Sequence, residues 1–87
     1  MQLEDTSLML QQDPATLIEI DRLLDRLESG EARVRAGARK AQVCRYAFYA
    51  GLSGGEIALL MDLPKSSVNA DIRFVRAWLT TQLQADT

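Results

Sequence analysis

Lys65, Ser66, Ser67, Asn69, Ala70, Arg73 and Arg76 fall at spacings that put them at the start and along one face of a helix. Their chemistry suits nucleic acid. Backbone N–H groups, serine hydroxyls and a lysine at a helix start grip phosphate. Asparagine can read adenine in a major groove, and arginine can read guanine or clamp the backbone. The same residues also suit an ordinary solvated helix face, so the surrounding pattern has to decide. A second constellation, Gly51-Leu52-Ser53-Gly54-Gly55, fits the G-x-S-x-G expression of hydrolase nucleophile elbows. That chemistry needs a preceding strand and a histidine to activate the serine. The chain has no strand pattern and no histidine, so the match is coincidental. One cysteine and no histidine leave no zinc site of the usual kinds, and no cofactor motif is present. An enzyme is not expected.

The elements that must carry the polar face read as follows. Asp13 suits an N-cap with Pro14 at the first helical position, and residues 1–13 before it read as an arm or short helix. Leu17, Ile20, Leu24 and Leu27 recur at helical spacing, with Ile18 and Leu23 widening the stripe, and Gly30 supplies the left-handed stop. A second helix starts at about Glu31 or Ala38, with Gly37 interrupting the pattern, and runs to Ala50 before Gly51 closes it. Ala41, Cys44, Ala47 and Phe48 form its core face, flanked by Val43 and Tyr46, while Arg39, Lys40 and Arg45 point elsewhere. Ser53-Gly54-Gly55-Glu56 fits a capping box opening a third helix with Ile57, Leu60 and Met61 on its apolar face. Asp62-Leu63-Pro64 is a turn. Pro64 then suits the first position of a fourth helix, whose core face is Val68, Ile72, Val75 and Leu79. Phe74 and Trp78 form an aromatic stripe on it that reads as packing.

The fold class is therefore all-α: an arm over residues 1–13 and one four-helix domain over 14–87. Leu52 to Leu79 reads as a helix-turn-helix, the geometry that pushes a second helix into a major groove.

Composition narrows the setting. No apolar run approaches the roughly 18 residues needed to span a bilayer, and no secretory signal is seen, so the cytoplasm is the expected location. Cys44, in an apolar helical pattern, reads as a small buried side chain. The net charge of −2 hides an asymmetry. Residues 1–32 carry eight acids against two arginines, and residues 33–87 carry eight bases against four acids. A basic half could meet phosphate and an acidic half a protein, although both also suit solvated helix faces.

Gly51-Leu52-Ser53, Glu56-Ile57-Ala58, Leu63-Pro64-Lys65-Ser66-Ser67-Val68 and Arg76-Ala77-Trp78-Leu79 together carry a family pattern. Leu52 to Leu79 resembles region 4, the C-terminal helix-turn-helix of RNA polymerase sigma factors of the extracytoplasmic-function (ECF) type. Arg73 to Leu79, R-F-V-R-A-W-L, looks especially like the R-F-A-R-A-W-L of one subgroup. The Leu17 to Leu27 helix matches the first helix of that region, so the resemblance covers most of the chain. It implies a four-helix domain that recognises the upstream (minus-35) promoter element with its fourth helix while other surfaces hold the polymerase β flap. Carried over by position, Lys65, Ser66, Ser67, Asn69, Ala70 and Arg73 would face DNA, and Arg39 and Lys40 its backbone.

The chain also departs from the pattern. Asn69 stands where the family usually has lysine, Ala70 where it often has a base, and Asp62 where it has a turn glycine. Residues 29–38 look longer than the usual link. Each missing phosphate contact weakens DNA binding. Region 2, which melts the promoter, has no counterpart here, so the chain is expected to be an excised domain or a stand-alone relative. Two readings follow: a promoter-reading module, or an interaction module that binds polymerase, an anti-sigma or another regulator as a negative effector. Self-association of so small a domain into a homodimer through Phe48, Tyr49 and Trp78 is left open by the sequence.

Overall fold

The computed structural model describes residues 14–85; the arm over residues 1–13 and the Asp13 cap lie outside the described residues. Four helices follow in order, α1 Pro14–Ser29, α2 Gly37–Phe48, α3 Gly54–Met61 and α4 Lys65–Ala85, with no strand among the described residues. The all-α reading holds. α2 lies at the centre, packed on α1, α3 and α4, and α3 rests on α4.

In α1, Ile20, Leu23, Leu24 and Leu27 are buried at the three- and four-residue spacing that makes one helical stripe. Ile18 was expected to widen that stripe but is exposed. Two residues before Ile20 is about 200° around a helix, so Ile18 faces water. Gly30 adopts φ +88° and ends α1 as expected. The link to α2 then passes through two non-glycine residues in the left-handed region, Arg33 at φ 60° and Ala36 at φ 54°.

Gly37 does not interrupt α2 but begins it. A Cβ on Gly37 would stand 2.5 Å from the Leu27 carbonyl oxygen, so only glycine lets α2 start this close to the end of α1. Ala41, Cys44, Ala47 and Phe48 are buried as expected, and Val43 joins them completely rather than flanking them. The helix ends at Phe48, two residues short of the expected Ala50, and Gly51 at φ +71° turns the chain.

The short α3 buries Ile57 alone. Leu60, expected on its core face, is exposed together with Leu59, because an eight-residue helix meets the core along one line through Ile57. Along α4, Val68, Val75 and Leu79 are buried and Ile72 is half-buried. The aromatic stripe divides. Trp78 packs half-buried against the core, whereas Phe74 is exposed, with the Lys40 ammonium 5.3 Å from its ring centroid.

Candidate nucleic-acid interface

The polar face of α4 is positioned by two short-range devices and one long-range one. The first is the capping box that starts α3. The Glu56 backbone N–H donates to Ser53 Oγ at 3.1 Å, and the Ser53 N–H donates to Glu56 Oε1 at 2.8 Å. The second is the turn. Asp62 adopts φ 56°, and the N–H of Leu63 reaches back to the Ala58 carbonyl at 2.9 Å. Pro64 was expected at the first position of the next helix but sits just before it. Its carbonyl accepts from the N–H groups of Ser67 and Val68 at 3.0 and 3.2 Å, and the helix begins at Lys65.

Val68, Val75 and Leu79 then fix the rotation of α4. That rotation leaves Lys65, Ser66, Ala70, Arg73 and Arg76 exposed, with Ser67 half-buried on the flank. Arg73, Arg76, Ala77 and Thr80 border a shallow open depression farther along the same helix. Asn69 is half-buried: its Oδ1 lies 2.7 Å from where a Cβ on Gly54 would be, so it leans on the first residue of α3.

The third device is an ion cluster between α2 and α4. Arg39 Nε and Nη2 donate to Asp71 Oδ2 and Oδ1 at 2.9 and 3.0 Å, a two-bond pairing that fixes the guanidinium plane. Lys40 Nζ donates to the Arg35 carbonyl at 2.8 Å and lies 3.7 Å from Asp71 Oδ1. Arg39 and Lys40 therefore differ. The Arg39 side chain keeps 39% of its surface exposed, but that of Lys40 keeps only 14%. Asp71, 3% exposed, was read in the sequence only as one acid of the basic half. A signal was available: three residues after Val68 and four before Val75, it occupies a core-facing register where a carboxylate needs a cation.

A second ion cluster ties α1 to α2 away from this face. Arg45 bonds Asp21 at 2.8 Å and Asp25 at 2.7 Å, with Glu28 at 3.6 Å. Burial works against its charge, but the hydrogen bond and charge of Asp21, with Asp25, outweigh it and raise its pKa. Part of the acidic face of α1 is thus occupied within the domain. Cys44 lies between α2 and α4, its thiol pushed up to about 12 by burial and then by the Asp71 charge, against a smaller lowering by Arg76. It is a buried, unreactive thiol. Among the described residues no group of His, Cys, Asp or Glu could hold a metal, and no helix is long and apolar enough to cross a membrane.

These features define a helical domain with a helix-turn-helix in α3 and α4. The family model for the ECF sigma factor matches residues 1–85, and the chain belongs to that family. No curated protein and no solved structure matches the chain. Membership assigns it a role in transcription initiation and regulation, in a family that works with RNA polymerase and promoter DNA and is regulatory rather than enzymatic.

Proposed function

We propose that this domain recognises an upstream (minus-35) promoter element by laying the first half of α4 in the major groove, while other surfaces engage the polymerase β flap. One observation carries the reading. Asp71 is the single acid in α4, and it is turned inward onto Arg39, so the outward face of the helix is cationic or neutral along its length. Lys65, Ser66 and Ser67 at the helix start address phosphate, Ala70 permits close approach, and Arg73 reads a base edge or clamps the backbone. Asn69 reaches bases only by leaving its place against Gly54. Arg76 and Arg39 flank the groove, while Lys40 serves the domain interior more than the backbone.

A second reading is favoured by Leu59 and Leu60, because Leu59 is 86% exposed on α3 and has no counterpart role in DNA contact. On that reading the chain is an interaction module that binds the flap or a regulator and acts as a negative effector. Exposed aliphatic side chains on one short helix suit a protein partner.

Anisotropy of labelled duplexes carrying candidate upstream elements separates the two. A promoter reader binds at low salt and loses affinity steeply as salt rises. Arg73→Ala is expected to cost about 1–3 kcal/mol and to relax selectivity at one position. Absence of binding at low salt, together with capture by the isolated β flap that Leu59→Lys abolishes, would instead establish the interaction module.

A further inference from the structure

We propose that Asp71 is a positioning residue for DNA binding: from inside the domain it holds the Arg39 guanidinium so that its outer edge meets a backbone phosphate beside the groove. This rests on the promoter-reading proposal above. Asp71 is too buried to meet DNA itself. It stands about 100° around α4 from Ala70 and about 200° from Arg73. The guanidinium bonded to it therefore sits level with the turn assigned to base contact but on its α2 flank, where a backbone phosphate and not a base edge would be met.

The two bonds to Asp71 use Nε and Nη2 and leave Nη1 without a partner among the described residues. An arginine fixed in this way keeps its charge and donors in place and loses little further freedom on meeting a phosphate. Lys40 takes the interior share. Its ammonium, held by the Arg35 carbonyl and close to Asp71, adds a second positive charge beside the carboxylate, so the cluster of three is net positive. Arg39 thus remains directed outward while the buried acid stays compensated.

The alternative is that Asp71 only neutralises. The two roles differ in sign. Removing a merely neutralising acid near DNA strengthens binding, because a negative charge is lost beside phosphate. Removing a positioning acid weakens it, despite the gain in net positive charge.

Phosphate contacts are independent of sequence, so the test needs no known promoter. The 87-residue chain is titrated into a fluorescein-labelled duplex of mixed sequence across a salt series, as wild type, Asp71→Asn, Arg39→Gln and the double variant. Asp71→Asn and Arg39→Gln are each expected to bind about three- to tenfold more weakly, with a log K against log salt slope shallower by about 0.9, the value of one phosphate. The double variant is expected to match Arg39→Gln alone, because the two act as one unit. Asp71→Asn that binds as tightly as wild type, or tighter, overturns the proposal, as does an additive double loss.

If Asp71→Asn does not fold, Arg39→Lys carries the test, since it retains the charge but not the two-bond geometry. Folded Arg39→Lys, checked by circular dichroism, is expected to bind more weakly; affinity equal to wild type overturns the proposal. A wild-type chain that binds no duplex at low salt overturns the promoter-reading proposal and this one with it. Wild-type binding that the variants leave intact overturns this one alone.

Discussion

Gly37 and Cys44 each reduce a packing fact to one atom. At Gly37 the Leu27 carbonyl fills the place of a Cβ, and that neighbour is backbone, which cannot rotate aside. Gly37→Ala is therefore expected to destabilise the domain by about 1–3 kcal/mol, read as a lower urea midpoint with unchanged slope. Cys44 makes a prediction in pH. Its thiol ionises near the ordinary 9.0 in the unfolded chain but only at about 12 in the fold, so the folded state holds the proton more tightly. This contribution is fully present below pH 9 and is lost as pH rises toward 12. Urea midpoints of wild type and Cys44→Ala measured across that range should converge as pH increases. At neutral pH the thiol should react with a thiol reagent only after denaturation. The burial of Cys44 was legible in the sequence because its neighbours at helical spacing are apolar. The meaning of Gly37 was not, since the atom it avoids belongs to a residue ten positions earlier in another helix.

Each helix is stabilised differently, and α3 is the extreme. Eight residues are too few for a helix to persist alone in water, so α3 depends on its cap and on one buried side chain. Ile57→Ala is expected to lower stability by about 2–5 kcal/mol. Leu59→Lys, two residues on, should stay within about 0.5 kcal/mol of wild type, because Leu59 is already in water. Urea denaturation of the two variants checks both; a large loss at Leu59 would mean that α3 buries a different face. The cap was legible before the structure because Ser53 and Glu56 complete each other within one turn. The buried face of α3 was only half legible. Ile57, Leu59, Leu60 and Met61 are all apolar, and periodicity over two turns cannot say which of them the core accepts.

At the scale of the whole molecule, charge is sorted by packing more than by net balance. Arg45 gathers Asp21, Asp25 and Glu28 and fastens α1 to α2 on one side, while Arg39 and Lys40 gather Asp71 on the other. The three acids around Arg45 are more than half exposed, so each pair is partly screened by water. Arg45→Ala is expected to lower stability by about 1 kcal/mol, less in high salt, where the repulsion among the orphaned acids is screened too. Denaturation at two ionic strengths measures that difference. The same sorting lets a chain of pI about 5.0 present a cationic helix face, so DNA affinity should follow the local face and not the net charge of −2.

The sequence by itself determined the four helices, the stop at Gly30, the turn at Gly51, the capping box, and the core register of α4. All of these follow from spacing and from contacts within a turn or two. Its family pattern also carried the class of protein, which the match over residues 1–85 bears out. Only the tertiary structure decided how the charges are apportioned. Asp71 and Arg39 are 32 residues apart, as Arg45 and Asp21 are 24, and nothing local distinguishes an acid that a distant cation will bury from one that water will keep. The exposure of Phe74 and Leu60 was settled in the same way, by how α2 and α3 cross α4. A helix face becomes core only where another helix arrives to cover it.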